Sequence, residues 1–210
     1  MFFDPREVGM KPPPFKHTIY TALVVPRPIG WISTVDRDGV VNLAPFSFFN
    51  ALAGDPPFVM YCPNGFKPGT DEQKDTLVNA ESTGEFVFNL CTSELREQMN
   101  LSSAHLPRSI DEMAECGLEA APCQFVKAPR VKASPIALEC RHHVTVTLPS
   151  GADGSPNNVV IGEVIGIHVA DEVIADGKID INRVRPLARL GYLDYATIEA
   201  ENVFVMKRPD

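Results

Sequence analysis

The run IALECRHHVTVTL, Ile136 to Leu148, decides the fold class. Ile136, Leu138, Cys140, His142, Val144, Val146 and Leu148 fall on one side of an extended chain, and Glu139, Arg141, His143, Thr145 and Thr147 fall on the other with Ala137. A period of two belongs to a strand that buries one face. GADGSPNN then turns the chain into Val159 to Val169, where Val159, Ile161, Ile165, Ile167 and Val169 share a side. Gly162 and Gly166 lie opposite, which predicts a close neighbour there.

Strand signals continue upstream. IGWISTV (Ile29 to Val35) and VVNLAPF flank DRDG, and the pair Asp38-Gly39 suits a tight hairpin turn. PFVMYC (Pro57 to Cys62) and EFVFNLC (Glu85 to Cys91) read as two more strands. Helices are short: KDTLVNAES, SELREQMN and SIDEMAECG. In the last of these, Ser109 and Glu112 have capping-box spacing and Gly117 is placed to end the helix. KPPPF near Lys11 reads as an extended arm. The architecture expected from these patterns is mainly β, a largely antiparallel, barrel-like sheet with small helices at its ends. There is no βαβ rhythm, GxGxxG or P-loop.

A chain of 210 residues can bury roughly 70% of its unfolded surface, enough for one core without staples, so residues 1–210 are read as one domain. The net charge of −8 comes with no basic cluster, which argues against nucleic acid or an anionic membrane as partner. No apolar run approaches the ~18 residues of a spanning helix, and MFFDPREVG does not resemble a signal peptide. The cytoplasm is the expected compartment. Five cysteines without a CxxC pair read as reduced, mostly structural thiols, and no metal site is expected.

The chemistry is concentrated in WIST (Trp31 to Thr34), NLAPFSFFN (Asn42 to Asn50) and KDT (Lys74 to Thr76). Thr34, Ser47 and Thr76 bring hydroxyls, Lys74 brings charge, and a helix starting near Asp75 would aim unpaired N–H groups at an anion. Pro45 interrupts strand pairing and leaves backbone groups free for a ligand edge. A flavin mononucleotide needs these types together: apolar walls for its ring, backbone groups for the ring edge, and donors for its phosphate. Singly, each residue has a plainer reading. Phe46, Phe48 and Phe49 are core types, Asp75 is an N-cap, and Lys74 is a solvated charge. His142 and His143 point to opposite faces of a strand and cannot easily share one ligand.

RPIGWIST, NLAPFSFFN, KDT, GEFVFNL, SPIALEC, NVVIGEVIGIHV and RPLARLGYLDY, in that order, resemble the flavin reductase-like, FMN-binding split-barrel proteins. The resemblance runs from about Ile19 to Tyr195 and leaves residues 1–18 as an N-terminal arm and 196–210 as a C-terminal extension. It implies a six-stranded antiparallel Greek-key split barrel, a homodimer, and FMN near the subunit interface. By position, Thr34, Ser47, Lys74 and Thr76 correspond to phosphate and ribityl contacts, with Ser33 and Asp75 beside them. Leu43, Ala44, Pro45, Ser47, Phe48, Phe49 and Asn50 run along the isoalloxazine, and Arg189 is a further cofactor contact. The implied function is an FMN-dependent oxidoreductase of the NAD(P)H:flavin reductase type. It would take electrons from NADH or NADPH and pass them to free flavin, a partner monooxygenase or another acceptor, with no catalytic side chain assigned. An FMN-carrying electron-transfer protein of flavoredoxin type and a non-redox FMN-binding protein are the alternatives.

Overall fold

The computed structural model describes residues 1–209. Seven strands form the main sheet: β1 (Gly30–Val35), β2 (Val41–Phe46), β3 (Phe49–Gly54), β4 (Pro57–Tyr61), β5 (Glu85–Leu90), β6 (Ile136–Leu148) and β7 (Asn157–Val169). All pairings are antiparallel, in the order β2-β1-β5-β6-β7-β4-β3. The two edges, β2 and β3, are consecutive in the chain with only Ser47 and Phe48 between them. The sheet must therefore curl until its edges approach, which makes a barrel split along one seam. The Phe46 ring reaches across the seam to the Tyr61 ring, 5.1 Å away, and the Cys62 N–H extends the β3–β4 ladder by donating to the Phe48 carbonyl.

The strand beyond the expected six is β3. Its sequence, FNALAG, lacks the β-branched residues that mark strands, and after Phe49 it is exposed throughout. It forms by pairing with β4 across the Asp55-Pro56 turn, so context outweighs propensity.

The face assignment of β6 is corrected by a bulge. His142 pairs with Gly162, but the next pair is Val144 with Ile161, which leaves His143 unpaired. One extra residue reverses the parity of everything beyond it. Cys140 and His142 stay on the inner side, whereas Val144, Val146 and Leu148 emerge on the outer face, each more than a third exposed. A second irregularity between Val164 and Gly166 separates the two glycines. The space a Cβ would need at Gly162 is filled by the inward Phe86 ring, and at Gly166 by Phe125 and Glu139, both at 3.1 Å. Both glycines are thus tightly packed, but against different layers.

Ile32, Phe49, Tyr61, Phe86, Phe88, Cys140 and Val160 fill the barrel, joined by Leu77 and Ala80 of α1 (Asp75–Thr83). On the outer side of β1 and β2, Trp31 and Leu43 pack with Met99 of α2 (Arg96–Leu101) and Met113 of α3 (Glu112–Glu115). The third cluster lies under the 123–131 segment, where Val126 and Ala128 cover Val87 and Ala137. Buried Glu139 staples that segment down: its carboxylate accepts the N–H groups of Gln124 (2.8 Å), Phe125 (2.6 Å) and Val126 (3.2 Å), and meets His168 Nε2 at 2.6 Å.

Two expected helix starts are revised. Asp111, not Ser109, caps α3 through the Ala114 N–H, so the Ser109–Glu112 capping box does not form. The N-cap of α1 is Lys74, and Asp75 is its first helical residue. The arm contains a short helix, Pro5–Val8, and strand Tyr195–Thr197 carries the fold into the C-terminal extension by pairing with Leu187–Arg189. No helix among the described residues is long and apolar enough to cross a membrane.

Candidate functional site

A cavity of about 820 Å³ opens where β2 runs out of the sheet toward the seam. Ala44, Pro45, Phe46, Ser47 and Phe48 form one wall, Lys74, Asp75 and Thr76 a second, and the loop from Ser102 to Arg108 a third. Cys62, Asn64 and Lys67 close the side beside β4. Because β2 is an edge strand, its outward backbone groups have no sheet partner. The Leu43 N–H is taken by Glu112 Oε2 at 3.2 Å, and Pro45 has no N–H to offer.

Charges in the cavity are unevenly partnered. Buried Asp75 is paired with Lys67 Nζ at 2.7 Å and has Arg108 at 3.7 Å. Lys74 forms no ion pair among the described residues. Burial, then the nearby Lys67 charge, pull its pKa below the usual lysine value, with Asp75 opposing. No side chain caps α1; the Leu77 N–H is taken by the Lys74 carbonyl, and the N–H groups of Asp75 and Thr76 remain available to an anion. The buried hydroxyls sit behind this end. Asn42 Nδ2 donates to Thr76 Oγ1 (2.8 Å) and Thr34 Oγ1 (3.3 Å). Asn79 Nδ2 also reaches Thr34 (3.1 Å), while its Oδ1 accepts from Arg108 at 2.8 Å.

The structure therefore brings together Ala44, Pro45, Ser47, Phe48, Lys74, Asp75 and Thr76 from the expected set. Thr34 lies one layer behind, holding the amides that position Thr76 and Arg108. Ser33 is fully buried, donating to the Pro129 carbonyl and accepting from Asn89. Leu43 is core. Phe49 stacks on Phe88 at 4.6 Å inside the barrel. Asn50 is exposed on β3, its Oδ1 accepting the Ala51 N–H. Arg189 turns to the Tyr195 ring, 4.4 Å away, outside the cavity lining.

Sequence reasoning missed Lys67, His105, Arg108 and Glu112. The stretch SSAHLPR (Ser102 to Arg108) has the same mixture of hydroxyls and cation that singled out KDT, and that mixture was the available signal. His142 Nε2 meets Thr145 at 2.9 Å, and exposed His143 lies against Phe58. Cys123, Glu139 and His168 approach within 4.8 Å of one another, but the Glu139 oxygens are already engaged by three backbone donors and His168. All five cysteines are free.

The curled antiparallel sheet with a cavity at its seam defines a split-barrel protein. A protein with a split barrel domain from Shewanella frigidimarina superposes with a TM-score of 0.79, covering 100% of this chain and 99% of its own at 24% identity. The flavin reductase like domain model matches residues 22–188, and the chain belongs to that family. It is 28% identical to component B of nitrilotriacetate monooxygenase from Bacillus cereus, with a TM-score of 0.86 and 98% of each chain covered. An uncharacterized protein of Aquifex aeolicus is 36% identical over 177 residues, 83% of this chain and 86% of the relative.

Proposed function

We propose that the cavity binds FMN and that the protein is an oxidoreductase of the NAD(P)H:flavin reductase type, passing electrons to free flavin, a partner monooxygenase or another acceptor. The observation that carries this reading is Lys74, a cation without an ion-pair partner beside the uncapped start of α1, facing an apolar wall of Pro45, Phe46 and Phe48. The volume is that of a cofactor site. Lys74, the α1 N–H groups and Thr76 would hold the phosphate, and Ala44 to Phe48 would flank the ring. When bound, the flavin supplies hydride acceptance and onward electron transfer, and the protein orients it and excludes water. Family membership and the likeness to a monooxygenase component support a partner enzyme as acceptor.

We also propose a homodimer. Beyond the bulge, Val144, Val146 and Leu148 of β6, each more than a third exposed, join Val159 and Ile161 of β7 and Met60 of β4 on one outer face, and a second copy would bury it.

Anaerobic mixing of the FMN-loaded protein with NADH or NADPH tests the reading. Bleaching of the flavin absorbance by either nucleotide is expected. Bleaching only by a protein or chemical donor would instead identify an electron carrier, and no bleaching by any donor would identify a non-redox binder.

A further inference from the structure

Glu112 was expected to serve its own helix, yet it is turned into the cavity. It is only 6% exposed. Its Oε2 accepts the Leu43 N–H, which fixes the carboxyl group against the edge of β2. Lys67, Lys74 and Arg108 all line the same cavity, but none pairs with it: Lys67 and Arg108 are drawn to Asp75. A buried carboxylate without a counter-ion is costly, and such a group tends to keep its proton. Burial raises the Glu112 pKa to about 7, helped by Asp75 and Asp111 and opposed by its own backbone N–H and that of Leu43.

We propose that Glu112 is a ligand-contacting residue of this site, donating the proton of its neutral carboxyl group to an acceptor atom of the bound flavin. The inference rests on the FMN reading and adds to it a contact that depends on protonation. An ionised carboxylate has no proton to donate, and beside Asp75 it would place a second negative charge in a cavity meant for a phosphate. The charged groups around Glu112 are Asp111, which caps its helix, and, sharing the cavity, Asp75 and Lys74 at α1, Lys67 and Glu72 on the loop before it, and His105 and Arg108 on the third wall. Cys116 is also near. Among these side-chain types, only imidazole ordinarily changes charge between about pH 5 and 8. The second ionisation of a phosphate ester, near pH 6, falls in the same range.

Riboflavin has no phosphate, so its affinity isolates the effect. Riboflavin and FMN are titrated into the wild type, Glu112→Gln and His105→Ala at about pH 6 and about pH 8.5, with affinity read from flavin fluorescence. If only the neutral form binds, wild-type riboflavin affinity falls by up to about 30-fold between these values. Glu112→Gln keeps a donor and an acceptor for Leu43, and its affinity should be flat with pH. His105→Ala should retain the wild-type slope. A flat wild-type profile, or an unchanged slope in Glu112→Gln, overturns the proposal while leaving FMN binding intact. Failure of both flavins to bind at either pH overturns the FMN reading itself. If Glu112→Gln does not fold, the wild-type and His105→Ala riboflavin profiles still decide: a slope supports the proposal, and its absence overturns it.

Discussion

Arg108 donates a 2.8 Å hydrogen bond to Asn79 Oδ1, and the same amide donates to Thr34 Oγ1 at 3.1 Å. One side chain, 2% exposed, thereby ties the third wall of the cavity to α1 and β1. Thr34 keeps its bond from Asn42 and Arg108 is 44% exposed, so removing the amide costs about the net worth of the two bonds, roughly 0.5–1.5 kcal/mol each. Asn79→Ala should lower the melting temperature and weaken FMN, since Arg108 loses its anchor. Equal melting temperatures for the two proteins would show that the bond has no structural role.

Lys74→Ala removes the unpaired cation. Loss of a charge-assisted hydrogen bond of roughly 1.5–3 kcal/mol lowers FMN affinity about 10- to 150-fold. Riboflavin affinity should barely change. If titration shows both ligands weakened alike, Lys74 supports the fold and not a phosphate.

At Gly162 an added methyl meets the Phe86 ring inside the barrel, and at Gly166 the contact is a looser 3.1 Å with side chains. Gly162→Ala should cost about 1–3 kcal/mol through overpacking, and Gly166→Ala less. Urea unfolding of the two variants checks the order, and a larger loss at Gly166 would falsify the assignment of Gly162 to the core.

Burial acts to raise the pKa of Glu139, but the N–H groups of Gln124 and Phe125 and the His168 contact outweigh it and leave the value lowered. A lowered folded pKa contributes stability that is present above the ordinary carboxyl range and is lost as pH falls through the folded value. Wild-type stability should therefore drop on acidification below about pH 4.5. Glu139→Gln should be less stable at neutral pH and less sensitive to acid in denaturation curves. An unchanged acid slope would mean that Glu139 does not carry the effect.

Val146→Arg places a charge in the centre of the outer face of β6 and β7. If that face joins two copies, sedimentation should show the variant as a monomer while the wild type is a dimer. A dimeric variant would move the interface elsewhere.

Much of this was legible in the sequence because it depends on local pattern. Asp38-Gly39 does turn β1 into β2, with Gly39 at φ +91°, and KDT does stand at the start of α1 beside Ala44 to Phe48. The parity of β6 was not legible: nothing in RHHVTV says that His143 is the unpaired residue, since the bulge depends on its partner strand. Phe49 and Asn50 were placed on the cavity with their neighbours, but the chain leaves β2 at Ser47 and enters another edge strand, which sends Phe49 inward and Asn50 to solvent. Lys67, Arg108 and Glu112 come from three separate segments, and only the tertiary fold brings them together.

The short link between the two edges also bears on the order of assembly. β2 and β3 reach their final spacing only after the pairings between them form, from Trp31–Asn89 through Val87–Glu139 to Tyr61–Val160. Each joins residues distant in sequence, and such closures are slow to form. We expect the wall from Ala44 to Phe48 to be the last part of the barrel to mature, so flavin would engage the finished chain and not a nascent one. The single tryptophan, Trp31, sits in β1, at one end of that series. In stopped-flow refolding its fluorescence should recover before flavin quenching begins, and simultaneous phases would remove the ordering.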